Sequence, residues 1–290
     1  MDLGQAHRGV AMGPSAMRYA GLLERLEKLN YKLYDVGNIE VPSRSQQATL
    51  TENGKTLRHL EAVVEVNERL AKKVAEQVTL GRFPLILGGD HSIAIGSLAG
   101  VSKYYQNLGV IWYDAHGDIN THETTSSGNI HGMPLAASLG YGHQKLTSVL
   151  FKGPKVKREQ VVLIGVRDLD LPEKELLKKL SIKTFTMHEV DRLGMSRVME
   201  EAIDYLAETD GVHVSFDMDV INPSEAPGVG TPVMGGLTYR ESHLALEMLA
   251  EAKLVTSAEF VEVNPMLDER NKTANLAVAL ASSLLGEKLL

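Results

Sequence analysis

The 290-residue chain contains no cysteine. That excludes disulfide staples, thiolate zinc sites and cysteine nucleophiles, and it fits a reducing cytoplasm. Positive charge is in deficit: 30 Lys and Arg stand against 37 Asp and Glu, a net charge of −7. No basic run is interleaved with aromatics, so neither nucleic acid nor an anionic membrane is an expected partner. The opening "MDLGQAHRGV" lacks the apolar core of a secretory signal, and no apolar stretch reaches bilayer-spanning length. Internal repeats, low-complexity tracts and dividing linkers are also missing. Residues 1–290 are therefore read as one domain, long enough to bury a large core. Hydrophobic residues make up 43% and charged residues 23%, the balance of a water-soluble globular chain.

What is present is an alternation. Short runs rich in Val and Ile read as strands buried on both faces: Tyr31–Val36, Pro84–Leu87, Gly109–Tyr113, Gln160–Val166, Ile182–Thr186, Val212–Phe216 and Ala258–Val263. Amphipathic stretches lie between them, over Gly13–Asn30, Leu57–Leu80, Ser196–Thr209 and Tyr239–Ala252. This βαβ order predicts an α/β fold of three αβα layers around a mainly parallel sheet. Pro42–Gly54 reads as a polar loop.

Ligands of such sheets bind beyond the carboxyl ends of the strands. Three apolar runs end there in acids or histidines. "PLILGGDHS" supplies Asp90 and His91, "GVIWYDAHGD" supplies Asp114, His116 and Asp118, and "GVHVSFDMD" supplies Asp217 and Asp219. At alternate positions of an extended chain these side chains share a face. A lone acid at a strand end is ordinarily a turn or cap residue. Four carboxylates together resist ionisation unless cations sit among them, and a buried acid cluster without partners destabilises a fold. Two divalent ions about 3.5 Å apart, sharing two carboxylates, would balance the four charges. Oxygen-rich ligands with imidazole favour manganese or a similar ion.

The motifs "GGDHS", "DAHGD", "SGNIHG", "SFDMD" and "EFVEVNP" resemble, in order and spacing, the arginase branch of the ureohydrolase family. The likeness runs over nearly the whole chain and is greatest to the arginases of Bacillus-type bacteria. It implies a mainly eight-stranded sheet, here expected to lack the short apolar strand that precedes "MDLGQ" in the family. It implies two Mn2+ per subunit, one held by His91, Asp114, Asp118 and Asp217 and the other by His116, Asp114, Asp217 and Asp219. The implied reaction is hydrolysis of L-arginine to L-ornithine and urea by a water activated between the two ions. Asp118 would orient that water, Glu262 would pair with the guanidinium, and His131 would pass a proton to the departing amine. Asn120, Ser127 and Asn129 match positions that hold the α-carboxylate. Asp170 and Glu173 match positions that face the α-amino group, although an acid before Pro172 and a first-turn Glu are also plain helix-start signals. Thr231 would lie near the substrate. A homo-oligomer, trimer or hexamer, is implied as well.

This chain departs from the family in places. Val220 stands where Gly is usual, which would strain a turn that needs positive φ. Asn222 replaces an acid that could support a turn. Other readings keep some of these residues: an agmatinase or other guanidino-compound amidinohydrolase, a deacetylase-type hydrolase with one zinc, or an inactive arginine-binding or regulatory homologue.

Overall fold

The structure is a computed structural model that describes residues 1–43, 50–52 and 55–288. Six of the apolar runs form strands of one parallel sheet: β3 (Leu85–Leu87), β4 (Leu108–Tyr113), β5 (Val161–Val166), β6 (Lys183–Thr186), β7 (Gly211–Asp217) and β8 (Val255–Val261). Their order across the sheet is β3-β8-β7-β4-β5-β6. Two shorter strands, β1 (Leu50–Glu52) and β2 (Lys55–Leu57), pair antiparallel apart from it. They fall at the end of the expected loop Pro42–Gly54, of which 44–49 and 53–54 lie outside the described residues.

Alternation in the strands separates two apolar layers. Val110 and Trp112 face one core with the helices Leu60–Thr79 and Ala94–Ser102. Ile111, Tyr113, Val214, Phe216 and Phe260 face the other, with the helices Met195–Leu206, Tyr239–Ala252 and Lys272–Leu284. The helix Leu60–Thr79 buries Leu60, Val63, Val66, Leu70, Val74 and Val78 at three- and four-residue spacing, the stripe a core-facing helix needs. Thr238 and Glu241 close a capping box that starts Tyr239–Ala252 where its sequence pattern begins. Among the described residues no helix is long and apolar enough to cross a membrane.

Four expectations are corrected. Among the described residues the main sheet has six strands, fewer than the family's eight even without the first strand expected to be missing. Tyr31–Val36 is extended but pairs with no strand among the described residues. It and Leu85–Leu87 line the same cavity of about 920 Å3, and Arg82 stacks over the Tyr34 ring at 4.0 Å. The expected helix Gly13–Asn30 breaks at Gly21, whose φ of 83° is left-handed, into Gly13–Tyr19 and Leu22–Glu27. The last strand begins earlier than its apolar run and stops at Val261, because Glu262 turns to φ 64°.

The sheet reverses its winding between β4 and β7. From β4 the chain proceeds to β5 and β6 on one side, and from β7 to β8 on the other. The crevice beyond the carboxyl ends of these two strands is the switch point at which such sheets bind ligands.

Candidate metal centre

That crevice receives the acids. Asp114 follows β4 and is fully buried. Its carboxylate accepts from Trp112 Nε1 at 3.0 Å and from the His116 backbone N–H at 2.7 Å. Asp217 ends β7 and accepts the Asp219 N–H at 2.8 Å. Asp219 accepts the Ala115 N–H at 3.2 Å, which ties the two strand ends together. Asp118 turns inward at φ 48°. From β3, Asp90 caps the next turn by accepting the Ser92 N–H at 3.1 Å, and His91 then stacks on Trp112 with ring centroids 4.2 Å apart.

Two groups of donor atoms result. His91 Nδ1 lies 3.1 Å from Asp114 Oδ2, 3.0 Å from Asp118 Oδ2 and 3.1 Å from Asp217 Oδ2. His116 Nδ1 lies 3.3 Å from Asp114 Oδ1 and 3.1 Å from Asp219 Oδ2. Asp114 belongs to both groups, with one oxygen turned to each. His91 Nδ1 and Asp118 Oδ2 are buried and have no hydrogen-bond partner. They are close without being aligned on each other, as lone pairs facing a common point would be. A buried, thiol-free set of nitrogen and carboxylate donors shared in this way fits two divalent cations.

The electrostatics agree. Burial raises the Asp118 carboxyl to about 6, and Asp114 adds repulsion. Burial, with Asp219 and Asp114 beside it, pushes Asp217 well up. Burial would lift Asp114 too, but His116 and His91 hold it down. Burial opposes charge on both imidazoles, and the carboxylates around them overcome it and raise both. The cluster needs positive charge, which protons or cations can supply.

Behind His91 runs a polar line that sequence reading missed. His91 Nε2 meets Ser215 Oγ at 2.8 Å, and Ser215 donates to Glu259 Oε1 at 2.7 Å. His213 meets Ser257 at 2.8 Å and Glu259 at 3.5 Å. All four residues behind His91 are fully buried. The signal was there: His213, Ser215 and Asp217 alternate on β7, and His213 pairs in register with Ser257 and Ser215 with Glu259 on β8. Such a line fixes which imidazole nitrogen faces the acids. Arg167 was missed as well. Its guanidinium donates to the carbonyls of Asp219 at 2.7 Å, Val220 at 3.0 Å and Val233 at 2.8 Å, bracing the loop that carries Asp219.

The remaining expected residues lie around this cluster. Glu262 Oε1 accepts the His91 N–H at 2.9 Å and lies 3.5 Å from His131 Nδ1. Burial would lower the His131 imidazole, but Glu262, with Asp118 and Asp90, raises it to about 9. Asn120 donates to Asp170 Oδ2 at 2.9 Å. Asp170 and Glu173 close a capping box on the helix Leu171–Leu180, and Glu173 also accepts the Ile119 N–H at 3.4 Å. Burial lifts Glu173 to about 7. Ser127 accepts the Asn129 N–H at 3.2 Å, and Arg58 pins this loop through the Ser127 and Gly128 carbonyls. Asn129 Oδ1 is buried without a hydrogen-bond partner. Thr231 gives its hydroxyl to Asp219 at 3.0 Å, so its contact is with the acid cluster. The cavity beside β3 touches none of the expected site residues.

Val220 does not adopt positive φ, contrary to the strain expected of it. It lies in the single turn Met218–Val220 and packs over Gly165, where a Cβ would come within 2.3 Å of its side chain. Asn222 supports its turn through its carbonyl, which accepts the N–H groups of Glu225 and Ala226 at 2.8 and 3.0 Å.

Comparison with known proteins adds an independent line. The sequence profile of the Arginase family matches residues 1–286. A curated arginase of Bacillus caldovelox is 67% identical over all of this chain and 97% of its own length. The solved structure of Bacillus caldovelox arginase superposes with a TM-score of 0.96 at 66% identity, covering all of this chain and 97% of that one. An Entamoeba histolytica arginase solved in complex with L-ornithine superposes with a TM-score of 0.90 at 33% identity, covering 98% of this chain and 95% of that one.

Proposed function

The chain belongs to the arginase family, and from that premise we propose that it hydrolyses L-arginine to L-ornithine and urea with two Mn2+ per subunit. The observation that carries the reading is the shared carboxylate: Asp114 presents one oxygen to His91 and the other to His116. One ion would be held by His91, Asp114, Asp118 and Asp217, and the other by His116, Asp114, Asp217 and Asp219. Such a pair supplies Lewis acidity and lowers the pKa of water toward neutrality.

The chain's own groups do the rest. Asp118 would accept a hydrogen bond from the attacking water and so direct it. Glu262 pairs with the cationic guanidinium and aligns its central carbon. His131, whose imidazole Glu262 holds above its ordinary range, is the group that would carry a proton to the reaction. It gives that proton to the amine as the C–N bond to ornithine breaks. Asn120, Ser127 and Asn129 hold the α-carboxylate, and Asp170 and Glu173 meet the α-ammonium. The absence of cysteine supports a cytoplasmic setting. The homo-oligomeric state, trimer or hexamer, is carried over from the family resemblance.

The test is urea release by manganese-loaded and chelator-stripped protein, with L-arginine and agmatine side by side. Manganese-dependent urea from L-arginine alone is expected. Preference for agmatine, which keeps the amine and lacks the carboxylate, would discard the roles given to Asn120, Ser127 and Asn129. No urea from either would discard the hydrolytic reading.

A further inference from the structure

The N-terminal segment is a wall of this site. Gly4 donates to Asp90 Oδ2 at 3.0 Å, and its carbonyl accepts the His131 N–H at 3.0 Å. Farther along, the Arg8 carbonyl accepts from Asn264 Nδ2 at 3.1 Å. Between these anchors sits Gln5, 1% exposed. Its Nε2 donates to Glu262 Oε2 at 2.7 Å. Gly230 makes room for it, since a Cβ there would come within 2.6 Å of Gln5 Oε1.

Glu262 needs such a partner. Its φ of 64° is left-handed, a strained state for a residue with a side chain, which persists where the surroundings over-determine it. Its N–H is tied to the Gly89 carbonyl at 2.9 Å, and Oε1 to the His91 N–H. Without Gln5, Oε2 would lose the only side-chain donor seen for it among the described residues, and the carboxylate could rotate. The choice of an amide matters. Lys or Arg would neutralise Glu262, whereas a glutamine holds the oxygen and leaves the negative charge for a cationic ligand.

We propose that Gln5 is a positioning residue for the substrate guanidinium, acting through Glu262 by fixing the plane of its carboxylate. The inference rests on the Glu262 role given above. The test is steady-state kinetics of manganese-loaded Gln5→Met, which keeps the length of the side chain and removes its donor. Gln5→Glu is a second variant that sets an acceptor against Glu262. In both, kcat/KM for L-arginine is expected to fall at least about tenfold, the scale of one hydrogen bond to a charged group. Inhibition by L-ornithine, which has the same amino-acid end and no guanidinium, should stay within about twofold. Manganese content should match the parent protein.

Unchanged kcat/KM in both variants would overturn the proposal. So would a parallel loss of ornithine inhibition or of bound manganese, which marks a merely structural role. Glu262→Gln, alone and combined with Gln5→Met, separates the two readings. A costly Glu262→Gln on which Gln5→Met has no further effect supports the coupling. Independent losses overturn it. A harmless Glu262→Gln removes the guanidinium role of Glu262 itself, and the proposal with it.

Discussion

Glu259→Gln is expected to weaken one of the two proposed metal positions and leave the other intact. Glu259 is fully buried and touches no predicted ligand directly. It accepts the Ser215 hydroxyl at 2.7 Å, and Ser215 meets His91 Nε2 at 2.8 Å. Burial alone would raise its carboxyl. His213, 3.5 Å away, with His91 behind, outweighs burial and holds it below the usual range. Ser215 relays the polarising effect of this carboxyl to His91. Gln preserves the shape and one acceptor oxygen but removes the charge. A hydrogen bond to a charged group contributes about 1.5–3 kcal/mol and a neutral one about 0.5–1.5. The difference is about 1–1.5 kcal/mol, or about tenfold in affinity, the low end of the range for partners behind a metal ligand. Calorimetric titration of chelator-stripped protein with Mn2+ reads both positions. The one built on His91 should fall about tenfold, while the one built on His116 and Asp219 should hold. No change, or equal weakening of both, would refute the relay.

Asp114→Asn should cost both ions, because each group of donors uses one of its oxygens; two metals per chain by elemental analysis, with full activity, would contradict the sharing. Asn129→Ala should weaken L-arginine much more than agmatine in kcat/KM, since agmatine lacks the α-carboxylate that Asn129 would hold; equal losses would remove its amino-acid-end role. Glu173 gives a pH prediction for the stripped protein. Burial lifts its folded-state value to about 7 from an ordinary 4.5. Its contribution to stability is thus full below about pH 4.5 and lost as pH rises through about 7, up to about 3 kcal/mol in all. Glu173→Gln should flatten urea-denaturation stability across that window, and an unaltered slope would show that the carboxyl is not held neutral.

The fold was legible where apolar pattern and length agree. Five of the six runs that became strands of the main sheet were placed to within a residue or two, because a strand buried on both faces leaves a continuous apolar trace. Tyr31–Val36 carries the same trace and failed. Its residues are largely exposed and pair with no strand among the described residues, a tertiary fact with no local signature. The break at Gly21 was visible as a glycine but reads as tolerable within a helix until the φ is known. Val220 was misjudged for a related reason. Replacing a usual Gly suggests strain only if the turn keeps positive φ, and here the turn accepts Val by leaning it over Gly165, which has no side chain to collide.

At the site, period-two spacing marked Asp114, His116 and Asp118 after one strand and Asp217 and Asp219 at the end of another, and the parallel sheet sets these ends beside His91 from a third. What spacing cannot show is which distant residues stand behind them. The Ser215–Glu259 contact depends on the register of β7 against β8, and Gln5 reaches Glu262 across 257 positions of sequence. Asp170 and Glu173 show a different limit. Pattern reading sets helix capping against substrate binding as rival explanations, yet a carboxylate has two oxygens. Asp170 Oδ1 accepts the Glu173 N–H at 2.9 Å while Oδ2 accepts from Asn120 at 2.9 Å. The capping box thereby joins the helix to the loop that carries Asn120. An acid that starts a helix is held in a fixed rotamer by that duty, and a fixed rotamer is what recognition of an ammonium requires. The bland role thus supplies the rigidity on which the proposed specific role depends.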